Sequence, residues 1–433
     1  MNQLQTPVSA NGQEAGAFDA KKVLTSVGSG MIRGLNKVGR IALNDGRSLL
    51  RLDRDWLLEK SRRLTGLNDF GDSDFLEPLE ILLRSFEKDA DLNLLGRITV
   101  HSEMLRMLGN KLTMQHDRTV NPGIAQEKIV KPIFITGLPR SGTTFLHALM
   151  SQDPASRAPL VWEVMHPSPP PERATYHSDP RIEKTRRELA WIDVLMPDFY
   201  KCHNIDATLP QECISITDHS FLSYVFESMY YVTSYRTWHD QQDKRPAYVC
   251  HRKFLQHLQW HCPGGHWVLK APSHLMALNS LFEIYPDAQI VLTHRDPLKV
   301  LPSCASFAQV LRAPFTSAID LKELGAEVSK RWADSARLLT RMRAAKEREE
   351  QFLDVSYHDL LRDPMGVVEG IYRYFQRDLT AEAREAMRQF IAGNPKDKNG
   401  AHRYSLQQFG MDPATERRNF QEYTEFFHVP SEV

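Results

Sequence analysis

The sequence predicts an α/β fold: a doubly wound parallel sheet of P-loop-like type with helices on both faces, preceded by an all-helical N-terminal region. Three observations predict it. Short apolar, β-branched runs recur at PIFITG (132–137), HWVLKAP (266–272), AQIVLTHRDP (288–297) and FLDVSYHDL (352–360). Runs of this length without polar alternation read as strands covered on both faces, which is how parallel sheets are built. Helix-period patterns separate them, and strand–helix alternation implies parallel crossovers. The first run also leads straight into a glycine-bearing turn and a helix, FITGLPRSGTTFLHAL (134–149), the layout of an anion-binding loop.

The elements follow in order. Residues 1–20 are polar and small, and read as a disordered tail. Residues 21–120 form the helical region, with apolar positions three and four apart in LDRDWLLEKSRRLTGL, DSDFLEPLEILLRSFEKDADL and GRITVHSEMLRMLGNKL. Asp72 or Ser73 is placed to cap the second of these. The region carries no visible chemistry and reads as a packing or dimerisation unit. Residues 121–433 form the α/β domain, with helical patterns at 141–150, about 181–196, 211–232, 251–260, 274–285, 318–349 and 363–377. HPSPPPERA is a proline-rich surface loop.

Bulk properties exclude several classes. In 433 residues, Lys+Arg and Asp+Glu are both 54, which removes bulk attraction to nucleic acid and leaves room for a local basic pocket. Five cysteines in so long a chain do not make a disulfide framework, which points to a reducing, cytoplasmic setting. The first twenty residues lack the apolar core of a secretory signal, and no apolar run reaches the roughly 18 residues of a membrane span. Peripheral membrane contact and homo-oligomerisation stay open.

Gly137 and Gly142 have G-x-x-x-x-G spacing, but Thr143-Thr144 stands where a nucleotide triphosphatase loop continues Lys-Ser/Thr. That lysine clamps the β/γ-phosphates, so a γ-phosphoryl transferase lacks a main charge here. Arg140 supplies a charge earlier in the loop, suited to a shorter ligand such as a nucleotide with a sulfuryl group on its 5′-phosphate. The competing view is a plain strand–turn–helix. A second anion site reduces its weight: in IVLTHRDPLKVLPSCASF, Asp296 caps a helix with Pro297 in its first turn, and Arg295 falls at a strand's carboxyl end. Ser303 lies eight residues on, and Pro302 is expected to kink that helix.

These segments resemble the sulfotransferase family. TGLPRSGTTFL is similar to its 5′-phosphosulfate loop and THRDPLKVLPSCASF to its 3′-phosphate element, in order and about 150 residues apart. HWVLKAPSHLMALNSLFEIYPDAQIVLTHRDP, GLNDFGD and VSYHDLLRDP resemble bacterial members. The resemblance implies a P-loop-like enzyme that moves a sulfuryl group from 3′-phosphoadenosine 5′-phosphosulfate (PAPS) to a hydroxyl or amine without a metal. It further implies a small-molecule or lipid-like acceptor. Arg140, Ser141, Gly142, Thr143 and Thr144 would hold the 5′-phosphosulfate, and Arg295 and Ser303 the 3′-phosphate. Lys270 matches a lysine near the donor and Tyr357 a tyrosine near the nucleotide. Lys398 and His402 fall in the place of a late basic segment. Small-molecule members carry lysine where this chain has Arg140. Arginine preserves the cationic role but does not donate a proton.

Transfer also needs a base. Glu163 sits where the tyrosylprotein branch has a glutamate, and His203 where small-molecule branches carry a histidine. Glu163 is preferred, with Glu212 third. A P-loop kinase or triphosphatase, and a non-catalytic nucleotide-binding relative, are the alternatives. His257 and His261 have a metal-compatible i, i+4 spacing but no accompanying motif, and read as a solvated helix face. The aromatic run at 221–240 reads as core, with part of it available to an acceptor pocket.

Overall fold

In the computed structural model, residues 34, 36, 44–47, 50–394 and 404–433 are described; Lys398 and His402 lie outside them. The main elements are α1 (Arg54–Thr65), α2 (Leu76–Lys88), α3 (Leu94–Val120), β1 (Ile133–Gly137), α4 (Thr143–Met150), β2 (Ser156–Arg157), α5 (Val161–Met165), α6 (Pro180–Leu195), α7 (Arg245–Gln259), β3 (His266–Lys270), β4 (Gln289–His294), α8 (Pro297–Arg312), α9 (Leu321–Ala344), β5 (Phe352–Ser356), α10 (Pro364–Tyr374), α11 (Ala381–Gly393), α12 (Pro413–Asn419) and α13 (Gln421–Phe426). Shorter helices are given by residue range.

The five strands form one parallel sheet in the order β2-β3-β1-β4-β5. β1 pairs β4 from Ile133 against Gln289 to Gly137 against Thr293, and β4 pairs β5 as far as His294 against Ser356. On the other side Ile135 lies against Lys270. This register brings the carboxyl ends of β3, β1, β4 and β5 to one edge.

Alternate residues feed two cores, as a pleated strand requires. Phe134, Leu269, Ile290 and Leu292 face Phe282, Leu324 and Trp332. Ile133, Ile135, Val268 and Val291 face Leu146, Leu149, Ile371 and Met387. Both faces are covered, which is why the strand sequences read as continuous apolar runs. Each such side chain contributes roughly 1.5–3 kcal/mol relative to exposure.

The N-terminal helices form a third core with Phe221, Phe226, Tyr230, Tyr235 and Phe315. Asn93 ties it to the α8–α9 connection by bonds to the Pro314 and Phe315 carbonyls (2.9 and 3.1 Å). Phe221, Phe226, Tyr230 and Tyr235 are thus core at this joint, as the run's reading as core expects, while Tyr224 packs against the first core.

Local chemistry explains the other differences. The helix expected over 211–232 is broken into Ile214–Thr217 and Val225–Met229. Between them Ser220 bonds the Thr217 carbonyl and the Leu222 amide, and Phe221 takes φ 57, so side-chain bonding replaces the helical ladder. Asp72 does not cap α2; it accepts from Lys253 at 2.7 Å, and the helix begins at Leu76. α8 runs through Pro302 to Arg312. β2 was missed because two residues carry no period.

Candidate active site

The loop between β1 and α4 has a conformation that only some residues adopt. Gly137 has φ +146 and a Cβ there would run into the Thr293 carbonyl; Gly142 has φ +92 and a Cβ would meet Leu360 Cδ2 at 2.7 Å. Arg140 also takes a left-handed φ, 63. This turns its carbonyl toward Arg295, whose Nη1 donates to it at 2.8 Å, while Arg140 Nε donates to Ser303 Oγ at 3.1 Å. The two motifs read separately in the sequence are therefore one hydrogen-bonded unit.

Ser141 is fully buried, and its hydroxyl bonds the Leu138 carbonyl (2.5 Å) and Thr293 Oγ1 (2.6 Å). Its side chain holds the loop shut, so its contribution to an anion would come from its backbone amide at the start of α4. Thr143 is buried in the first turn and Thr144 is exposed.

Lys270, at the end of β3 and 1% exposed, reaches the same place: its Nζ donates to Thr144 Oγ1 (3.1 Å) and pairs with Glu212. Burial pushes the Glu212 carboxyl up, but Lys270 and His203 outweigh it and hold it below the usual carboxylate range. His203, partly buried, stacks on Phe307 (6.1 Å, 23°) and meets Phe199 edge-on. Burial takes its imidazole down to about 4, with Glu212 opposing and Lys270 and Arg140 adding to the fall. His203, Glu212, Lys270 and Arg140 thus share one electrostatic neighbourhood.

On the other flank Arg295 lies 3.9 Å above the Tyr357 ring, a cation–π stack at the ends of β4 and β5. Its Nε and Nη2 grip the Glu432 carboxylate at 3.0 and 3.2 Å. Asp296 caps α8 through the Leu298 amide (3.0 Å), as the sequence predicts.

Glu163 is elsewhere. On the first turn of α5 it is 0% exposed and accepts from Arg157 (2.9 and 2.5 Å), the Leu160 amide (2.8 Å) and the Tyr176 hydroxyl (3.1 Å). A carboxylate sealed from solvent and saturated with donors is poorly placed to take an acceptor proton, which weighs against the preference for Glu163 as base. Glu212, with 19% of its side chain exposed, has the access that Glu163 lacks. His257 is not on a solvated face: it is buried and bonds the Pro167 carbonyl (3.0 Å), while His261 pairs with Glu172.

Residues 132–381 match the sulfotransferase family. The chain belongs to that family. Similar solved structures agree: sulfotransferase STF1 from Mycobacterium tuberculosis H37Rv is 33% identical, with 84% of this chain and 97% of that one covered and a TM-score of 0.76. Sulfotransferase STF9 from Mycobacterium avium is 27% identical, with 87% and 97% covered and a TM-score of 0.80. The omega-hydroxy-beta-dihydromenaquinone-9 sulfotransferase Stf3 of Mycobacterium bovis is 24% identical over 294 residues, 64% of this chain and 71% of that protein. This sulfotransferase is accordingly a transferase of bacterial type whose reaction is sulfuryl transfer, and the kinase alternative falls away. No helix among its described residues is long and apolar enough to cross a membrane.

Proposed function

We propose that this sulfotransferase takes PAPS as donor, without a metal in the transfer step, and sulfates a hydroxyl of a lipid-like acceptor. One observation carries the assignment: three cationic side chains, Arg140, Lys270 and Arg295, converge from the ends of β1, β3 and β4 on a left-handed loop at one sheet edge. Two cations at the loop suit a 5′-phosphosulfate, together with the α4 amides and Thr143 and Thr144. Arg295 suits a 3′-phosphate, since its outer edge already receives a bidentate oxyanion group. Ser303 is held to the same unit by Arg140, and Tyr357 stacks under Arg295.

In the proposed step the acceptor oxygen attacks sulfur in line, the bond from sulfur to the 5′-phosphate oxygen breaks, and negative charge grows on that oxygen. Arg140 and Lys270 stabilise it electrostatically. Glu212 takes the acceptor proton. Its Oε2 accepts no hydrogen bond among the described residues, and Lys270 is shared between it and the loop. As Lys270 turns toward the leaving oxygen, Glu212 loses part of its counter-charge and gains basicity. His203, neutral at pH 7, orients the acceptor between Phe199 and Phe307. That aromatic flank, with Met196 and Leu311 behind it, suits an apolar acceptor, as does the hydroxylated quinone in the name of the Stf3 relative.

The test is a thermal-shift titration followed by an acceptor screen with labelled donor. Stabilisation by 3′-phosphoadenosine 5′-phosphate in the presence of a chelator, and little by Mg-ATP, is expected. Dependence on divalent ions, or label transfer only to water-soluble sugars and phenols, would contradict the donor or the acceptor assignment respectively.

A further inference from the structure

Residues 421–433 of the chain fold back onto Arg295. α13 packs on the carboxyl end of β4, where its Tyr423 Oη bonds His294 Nδ1 (3.0 Å) and Phe427, the next residue after the helix, stacks on the His294 ring at 4.4 Å. The last residues are then pinned individually. Arg417 Nη2 donates to Ser431 Oγ (2.6 Å) and to the Val433 carbonyl (2.8 Å), and Arg417 pairs with Asp296 at 3.3 Å. The Glu432 amide donates to Asp296 Oδ2 at 2.7 Å. These bonds deliver the Glu432 carboxylate, 13% exposed, onto Nε and Nη2 of Arg295.

That edge is the part of Arg295 left for an oxyanion. One guanidinium face is covered by Tyr357 and Nη1 is bonded to the Arg140 carbonyl. A carboxylate and a phosphate make the same side-on bidentate contact with arginine, so both cannot hold this edge together. A phosphate carries more charge and more acceptor oxygens than a carboxylate, which lets it compete for the same edge.

We propose that Glu432 is an internal competitor for the donor's 3′-phosphate: it holds Arg295 in the free enzyme, leaves as donor binds, and returns as the nucleotide product departs. The proposal rests on the assignment of Arg295 to the 3′-phosphate. Its function is exchange. A closed ion pair keeps Arg295 preorganised and neutralised between turnovers, lowers apparent nucleotide affinity by the fraction of enzyme with the tail in place, and speeds product release by rebinding.

The test uses the full chain and compares Kd for 3′-phosphoadenosine 5′-phosphate and for AMP, which lacks the 3′-phosphate, in the wild type, Glu432→Gln, Arg295→Ala and the double variant. Glu432→Gln is expected to tighten the 3′-phosphorylated nucleotide about 5- to 20-fold, the population penalty of a partly buried bidentate pair, and to leave AMP within about twofold. In the Arg295→Ala background the Glu432 change should have no effect. A chain ending at Pro430 should shift in the same direction as Glu432→Gln. Unchanged or weaker binding of the 3′-phosphorylated nucleotide by both tail variants would overturn the proposal. Equal tightening of AMP would overturn it too, because the tail would then be a steric cover. The underlying subsite is read separately from Arg295→Ala alone: selective weakening of the 3′-phosphorylated nucleotide supports it, and equal effects on both nucleotides refute it, and the competitor with it.

Discussion

Replacing Glu163 by glutamine removes a charge at nearly constant volume. In the fold that carboxylate meets both terminal nitrogens of Arg157, the Leu160 amide and the Tyr176 hydroxyl, and the exposures of the paired side chains are 0% and 7%. Removing one partner of a buried ion pair costs roughly 3–5 kcal/mol, because the remaining charge stays desolvated. Glutamine keeps one acceptor oxygen but turns an NH2 toward a cation, so about 3 kcal/mol is the expected loss. Unfolding entropy of about 2.1 cal/mol/K per residue gives a chain of this size roughly 0.9 kcal/mol/K, so Tm should fall by roughly 3–4 °C. The assay is a melting curve for stability, with initial rates measured well below Tm for kcat. Turnover should change less than about threefold, whereas loss of a general base costs about 10²–10⁴-fold. A variant that melts like the wild type but loses a hundredfold in kcat would refute the scaffold role and restore Glu163 as base. The paired replacement Arg157→Met with Glu163→Leu should recover part of the lost stability, since it leaves no buried charge behind.

Glu212→Gln should lower kcat by about 10²–10⁴-fold with a smaller change in donor KM, and His203→Asn should lower it less; the reverse order would make His203 the base. Arg140→Ala should lower kcat/KM by about 10²–10³-fold and Arg140→Lys less, because charge on the leaving oxygen is what the side chain answers; full turnover by Arg140→Ala would refute the loop assignment. Stability should fall as pH drops from about 6.5 toward 4. Burial lowers His203, His257 and His266 to about 4 and His147 and His251 to about 3 in the fold, against 6.5 for the unperturbed side chain. These side chains are neutral when folded and take up protons on unfolding, so their stabilisation is complete above pH 6.5 and is lost below it. Each histidine contributes roughly 1 kcal/mol per pH unit in that window. Urea midpoints that stay level between pH 7 and 5 would contradict this.

What could be read from the sequence was local or periodic. Parallel strands buried on both faces announce themselves as short apolar runs, and the anion loop announces itself by Gly137 and Gly142, whose φ values strain any residue with a Cβ. Arg295, Asp296 and Pro297 form a strand end, a cap and a first helical turn within three residues, so their roles were legible in place.

The rest depended on partners distant in the chain. Glu163 and Glu212 are both glutamates beyond the loop. Only tertiary contacts place one against Arg157 with no solvent and the other against Lys270 with part of its side chain exposed. That the aromatic run at 221–240 would be core was legible in its composition, but that Phe221, Phe226, Tyr230 and Tyr235 would serve the apolar faces of α1–α3 was not. Ser303 was read with Arg295, and the bond that joins it to Arg140, and through Arg140 to Arg295, could not be read from the sequence. Glu432 gave no signal at all, since a glutamate one residue from the end of the chain has no period, no motif and no local partner. It acquires meaning from Arg295, 137 positions earlier, because a charge is defined by what lies within a few ångströms of it and the sequence records only what lies next to it along the chain.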